Sequence, residues 1–175
     1  MNADRLIQEY KKNGHPLGEV LRQEELNDLV AVLRLRLNAT EKELDLAPYS
    51  LKRLEEKLRV YHQHLQDQGQ QLTDDETVRF VREIAAYIGT VLMKHADATW
   101  RGGRSLWDTH VGVIGRVKLI DGSQKYYSSG GMWLGLGNQA ASAWDATTQD
   151  RPTRMYSMYL SMRKKIAKQD LRQRR

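Results

Sequence analysis

Residues 135–140, Gly-Leu-Gly-Asn-Gln-Ala, have the G-x-G-x-x-A spacing that lets a backbone approach the pyrophosphate of a dinucleotide. That chemistry needs a strand before the glycines, a second parallel strand after the helix, and an acidic residue about 20 positions on for the ribose. The residues at that distance are Met155 and Tyr156, in a segment with helical spacing, and no second strand pattern follows. A turn from a sheet into a helix accounts for Gly130, Gly131, Gly135 and Gly137 more simply. Capture of an anion or small ligand by the backbone N–H groups at the start of that helix stays open.

Two other constellations have the residue types for chemistry but not the density. Asp108 and His110 alternate onto one side of a strand pattern, and with His95 they give three possible metal ligands, yet no H-E-x-x-H or comparable cluster accompanies them. Ser128 or Ser129 with His110 and Asp108 supplies the types of a catalytic triad without a nucleophile elbow. The sequence therefore predicts no catalytic residue, no metal site and no cofactor. Cysteine is absent, which excludes thiol catalysis, thiolate metal sites and disulfides.

The stronger signal is for binding. Trp100, Arg101, Arg104, Trp107, Tyr126, Tyr127 and Trp133 bring together the residue types that dominate binding hot spots, because they bury large areas while keeping a polar handle. Some of these tryptophans could equally be core residues. The surface expected from them combines Arg101, Arg104, Trp107 and Trp133. The net charge of +6 is local: residues 163–175, RKKIAKQDLRQRR, hold seven Lys or Arg and one Asp, which leaves 21 side chains of each sign in the other 162 residues. Arg163, Lys164, Lys165, Lys168, Arg172, Arg174 and Arg175 could contact nucleic-acid phosphates or an acidic partner, or could form a solvated helix end suited to the helix dipole. Only Ala167 and Leu171 beyond Ile166 could enter lipid, so a membrane role is not expected.

The elements that position these residues follow from periodicity. With 40% hydrophobic and 29% charged residues, the 175-residue chain has the composition of one globular domain, here bounded at 1–162, with 163–175 as a basic tail. Residues 3–12 predict a short peripheral helix stopped by Asn13-Gly14-His15-Pro16, so 1–16 is a satellite. Residues 17–37 suit a helix, although VLRLRL at 32–37 also alternates as a strand would. Pro48 can open a helix striped by Leu51, Leu54, Leu58, Tyr61 and Leu65. After the polar linker QDQGQQ, Thr73 and Glu76 form a capping box for a helix whose core face is Val81, Ile84, Ala85, Ile88, Val91 and Leu92. Gly89 costs that helix about 1 kcal/mol unless another element packs close to it. From Ala98 the period becomes two: a short strand at 98–101, then one half-buried strand through Val111, Val113, Val117 and Leu119. Asp121-Gly122 would turn Gln124–Ser128 back alongside. Helices resume over 138–146 and after Pro152, with Met155, Met158, Tyr159, Met162 and Ile166 on one side. Helices, then strands, then helices predict an α+β fold: a helical N-terminal half packed on a small antiparallel sheet, with C-terminal helices.

The stretches LDLAPYSLKRLEEKL (44–58) and VREIAAYIGTVLMKHADATWRG (81–102) carry a resemblance to small bacterial accessory or immunity-type domains of unknown function. In those, a leucine-aspartate-x-serine-proline-x-serine-leucine phrase opens one helix, and an alanine-tyrosine-leucine-glycine-glutamate-valine-leucine phrase followed by glycine-x-tryptophan closes the next. Leu46, Pro48, Ser50, Leu51, Leu54, Tyr87, Gly89, Val91, Leu92 and Trp100 match; Ala47 stands in place of the capping serine and Thr90 in place of an acidic residue. The match spans about a third of the chain. The expectation is a non-catalytic, protein-binding accessory protein of the bacterial cytoplasm, plausible as an immunity-type factor, whose partner is another protein. The alternative is a nucleic-acid-binding protein that uses the basic C-terminal segment.

Overall fold

The computed structural model describes residues 21–95, 98–101, 110–113, 116–118, 124–126 and 132–161. A single 3-10 turn at Gln23–Glu25 leads into α1 (Leu26–Arg36), followed by α2 (Ser50–Asp67), α3 (Asp74–His95), α4 (Leu136–Thr148) and a helical segment at residues 155–161, α5. Among residues whose side chains are described, 72% are helical. Of the helix expected over 17–37, α1 covers 26–36, while residues 21 and 22 are not helical and 17–20 lie outside the described residues. The ambiguous VLRLRL segment is helical as far as Arg36, which reaches across to α3.

The expectation of an α+β domain is corrected: the chain folds as an all-helical bundle. The finding that overturns it is that helical content together with the core of the described residues, whose buried side chains come from helices or from Leu21, Leu37 and Leu44 beside them. The physical reason lies in α3. Besides the expected stripe, it buries Val78, Phe80, Ala86 and Tyr87, so it is enclosed nearly all round by its neighbours. A helix that is apolar on all sides is satisfied by other helices and requires no sheet against it. Short strands do follow α3: β1 (Ala98–Arg101), β2 (His110–Val113), β3 (Arg116–Lys118), β4 (Gln124–Tyr126) and β5 (Met132–Gly135). They pair antiparallel as β1-β2-β5 and, separately, β3-β4. The single strand expected over 111–119 is thus two strands in two ladders. β3 and β4 pair antiparallel with Lys118 opposite Gln124, one residue off the register of a two-residue Asp121-Gly122 turn, and the turn itself lies outside the described residues. Of the strand side chains that are described, Trp100 is half-buried and packs against the helical core.

Local chemistry sets the helix ends. At the start of α3, the Thr73 N–H and Oγ both donate to Glu76 Oε2 at 2.8 Å, and the Glu76 N–H donates back to Thr73 Oγ at 3.3 Å. These bonds to the charged form hold the Glu76 carboxyl below its ordinary range. The other end of the α1–α2 connection is held by Tyr87. Its fully buried hydroxyl accepts from the Leu46 N–H at 3.2 Å and lies 2.5 Å from Ser50 Oγ. Ser50 already donates to the Ala47 carbonyl at 2.6 Å, so Tyr87 is the donor to Ser50. This fixes Leu46 at a φ of 63°, a left-handed conformation that a branched side chain adopts only under such restraint. Asp45, by accepting from the Ala47 N–H at 3.0 Å, supplies the turn that the missing serine at position 47 would have capped. The phrase LDLAPYS is therefore a packing latch between loop and core.

Gly89 is the contact point expected of it. A Cβ there would lie 2.9 Å from Leu136 Cδ1 and 3.2 Å from the Trp100 ring. Leu136 is fully buried and has little room to withdraw. Gly89→Val is expected to lower stability by about 1–3 kcal/mol through overpacking, measured as a fall in the urea midpoint, whereas Gly89→Ala is offset by its gain in helix propensity. An unchanged midpoint in the valine variant would show that α3 and α4 are not held at this distance.

Candidate binding groove beside Trp144

The sequence-expected surface is only partly within the described residues. Arg101 ends β1 opposite His110, and Trp133 sits in β5 opposite Gly112, two rows apart in the β1-β2-β5 ladder. Their side chains, and Arg104 and Trp107 entirely, lie outside the described residues, as do Asp108, Ser128, Ser129 and the whole basic segment 163–175. Of the aromatic group, Trp100 is half-buried against the core, which is the packing role weighed for it. The glycine-rich motif is likewise committed to packing: α4 begins at Leu136, and Leu136 and Gly137 are both buried. Among the described residues no group of three or more His, Asp or Glu side chains could hold a metal ion.

A concavity bounded by described residues lies elsewhere, where the end of α2, the α2–α3 linker and the end of α4 converge. It encloses about 600 Å³ and is lined on one side by His62, Leu65 and Gln66, and on the other by Trp144, Thr148 and Gln149. Its shape starts from one glycine. Gly69 takes φ +64° after α2, the Gln70 N–H donates to the Leu65 carbonyl at 2.8 Å, and the Gly69 N–H to the Gln66 carbonyl at 2.9 Å. This αL turn closes the helix and sends Gln70, Gln71 and Leu72 along the rim instead of away from the bundle. Thr77, in the first turns of α3, closes the far end.

The floor is aromatic and rigid. Trp144 is 5% exposed and meets the Phe80 ring edge to face at 4.9 Å, with Tyr61 tilted against both. His62 packs its ring against Trp144 at 5.7 Å and 68°. Burial pushes the His62 imidazole below its ordinary value, and the Asp150 carboxylate opposes that shift. A histidine whose folded-state value is lowered binds fewer protons folded than unfolded. Stability therefore falls as pH drops through the unfolded value, and flattens once His62 is charged in both states. His62→Gln is expected to reduce the loss of stability between about pH 7 and pH 5, followed by denaturation at each pH. An identical pH profile would exclude His62 as its source.

The groove thus offers an apolar floor of Leu65, Leu72 and Trp144 under the side-chain amides of Gln66, Gln70, Gln71 and Gln149. One of these is already oriented, with Gln149 Nε2 donating to Asp145 Oδ2 at 3.1 Å. Sequence reasoning passed over this site because QDQGQQ reads as a linker, and its only signal was the run of amides next to a helix-ending glycine. Trp144 gave no sign of lying beneath it, since nothing local brings positions 66–72 and 144–149 together. No helix among the described residues is long and apolar enough to cross a membrane. No protein-family model, curated protein or solved structure matches the chain, so its function has to be read from this geometry.

Proposed function

We propose that the chain is a non-catalytic protein-binding protein of the cytoplasm, and that the groove beside Trp144 receives an extended segment of its partner. The observation that carries this reading is the combination of an apolar, aromatic floor with a rim of uncharged amides. Each glutamine amide offers both donors and acceptors, matching the alternating N–H and C=O of a polypeptide backbone, while the floor takes an apolar side chain out of water. The volume lies within the roughly 300–1,000 Å³ of specific binding clefts. Among the described residues the rim has no Lys or Arg of the kind that phosphate contacts would need, which favours a polypeptide over a nucleic acid at this place.

The test is capture from host lysate with and without nuclease treatment, using wild type, Gln70→Arg/Thr148→Arg, Trp107→Ala and a chain lacking 163–175, all checked for equal thermal stability. The expected result is one retained protein that the double-arginine variant loses and the tail deletion keeps. Capture indifferent to the groove substitutions overturns the groove as the site, and loss confined to Trp107→Ala moves it to the surface with Arg101, Arg104 and Trp133. Recovery of nucleic acid alone, dependent on 163–175, overturns protein binding in favour of the basic segment.

A further inference from the structure

A second cleft, on the opposite side of α4, has different chemistry. Its wall on α4 is Gln139, Ser142, Ala143 and Ala146, one helical face at i, i+3, i+4 and i+7. After α4 the chain reverses: Asp150 takes φ +51°, and the Arg151 N–H donates to the Ala146 carbonyl at 2.7 Å. The reversal brings residues 151–154 back across α4, where Arg151, Thr153 and Arg154 complete the cleft over Met155 and Met158. The enclosed space is about 470 Å³.

Two observations point to a ligand there. Thr153 is 7% exposed, and its Oγ is buried with no hydrogen-bond partner among the described residues. A buried hydroxyl without a partner is destabilising in the free protein, and a partner supplied from outside removes that penalty. The charge balance points the same way. No acidic residue is among the described residues that line the cleft, Arg154 has no ion pair among the described residues, and Arg151 has one, from Nη2 to Asp145 Oδ2 at the long distance of 3.6 Å. Guanidinium groups pair with oxyanions through parallel N–H bonds. Here two guanidiniums, the Thr153 and Ser142 hydroxyls and the Gln139 amide exceed what the two oxygens of a carboxylate can accept, while a phosphate can use them.

We propose that this cleft is a binding site for a phosphomonoester carried on an apolar body, with the phosphate between Arg151, Arg154 and Thr153 and the apolar part on Met155 and Met158. The probes are phenyl phosphate, inorganic phosphate and benzoate at fixed ionic strength, followed by NMR of the methionine methyl groups and by thermal melting. Phenyl phosphate is expected to shift the Met155 and Met158 methyls saturably and to bind at least tenfold more tightly than either inorganic phosphate or benzoate. Arg151→Gln/Arg154→Gln, both at exposed positions, is expected to weaken it at least tenfold with the fold retained. Thr153→Val carries the sharper expectation: a higher melting temperature without ligand, from loss of the unpartnered hydroxyl, together with weaker phenyl phosphate binding. Absent or unsaturable shifts overturn the site. Benzoate binding as tight as phenyl phosphate overturns the head group, and a Thr153→Val variant with unchanged affinity overturns the role of the hydroxyl.

Discussion

Phe80→Ala is expected to lower the stability of the chain by about 3–5 kcal/mol, the range for truncating a fully buried aromatic. Phe80 is 0% exposed and sits among Trp144, Tyr61 and the Arg36 guanidinium, whose carbon lies 5.4 Å from the ring centroid. Truncation would leave a cavity at the junction of α2, α3 and α4, and would remove the edge-to-face contact that holds Trp144. Against a total stability of about 5–15 kcal/mol for a domain of this kind, such a loss would unfold a large fraction at physiological temperature. Urea denaturation checks the magnitude, and near-ultraviolet circular dichroism checks the loosening of Trp144. Phe80→Leu, which keeps most of the volume, should cost well under half as much. A cost below about 1 kcal/mol for the alanine variant would mean that the aromatic cluster is not packed as described. Because Trp144 floors the groove, the same variant should weaken partner capture at temperatures where it is still folded.

Phe80 also shows where the sequence stopped being legible. The helices themselves could be read: the Thr73–Glu76 box, the stripe Leu51, Leu54, Leu58 and Leu65, and Gly89 as a close contact all follow from local spacing and are found in the fold. Those signals are local because a cap, a stripe or a glycine is decided within one or two turns. What could not be read was how many faces of α3 are covered. Counting its strongest stripe left out Phe80, Ala86 and Tyr87, and a helix buried on one side invites a sheet as its partner, whereas one buried all round belongs at the centre of a bundle. Alternation over 111–119 then reinforced the error, since short paired strands carry the same period whether or not they form a core layer. The groove was hidden for a different reason. Positions 62–72 and 144–149 meet only through tertiary packing, and glutamines have no periodic or chemical signature that would join them in advance. Thr153 is the same case in miniature, because a threonine reveals nothing in sequence about whether its hydroxyl will find a partner.

Arg36→Met should be the other severe substitution, with an expected cost of about 3–5 kcal/mol, because it would strand a buried carboxylate. Arg36 Nε and Nη2 donate to the two oxygens of Glu83 at 2.8 and 2.7 Å, a bidentate pair joining α1 to α3. The Glu83 side chain is 4% exposed and that of Arg36 28%. The hydrogen bonds from Arg36 to Glu83 raise the guanidinium's affinity for its proton further, so the arginine remains charged wherever the protein folds. The large cost is that of breaking the pair and does not measure its net contribution, since removing both charges from a packed interior can be neutral or stabilising. Arg36→Met/Glu83→Leu should therefore recover most of the stability lost in Arg36→Met. The coupling from the full double-mutant cycle should depend weakly on salt, because a buried pair is screened less than a surface one. If the double variant is as unstable as Arg36→Met alone, the loss comes from the Arg36 contact with the Phe80 ring and not from the stranded carboxylate. If it recovers, the pair's role is specificity: it fixes which face of α3 turns toward α1 in a helix whose apolar surface runs nearly all round, and thereby which face is left to hold Phe80 against Trp144 beneath the groove.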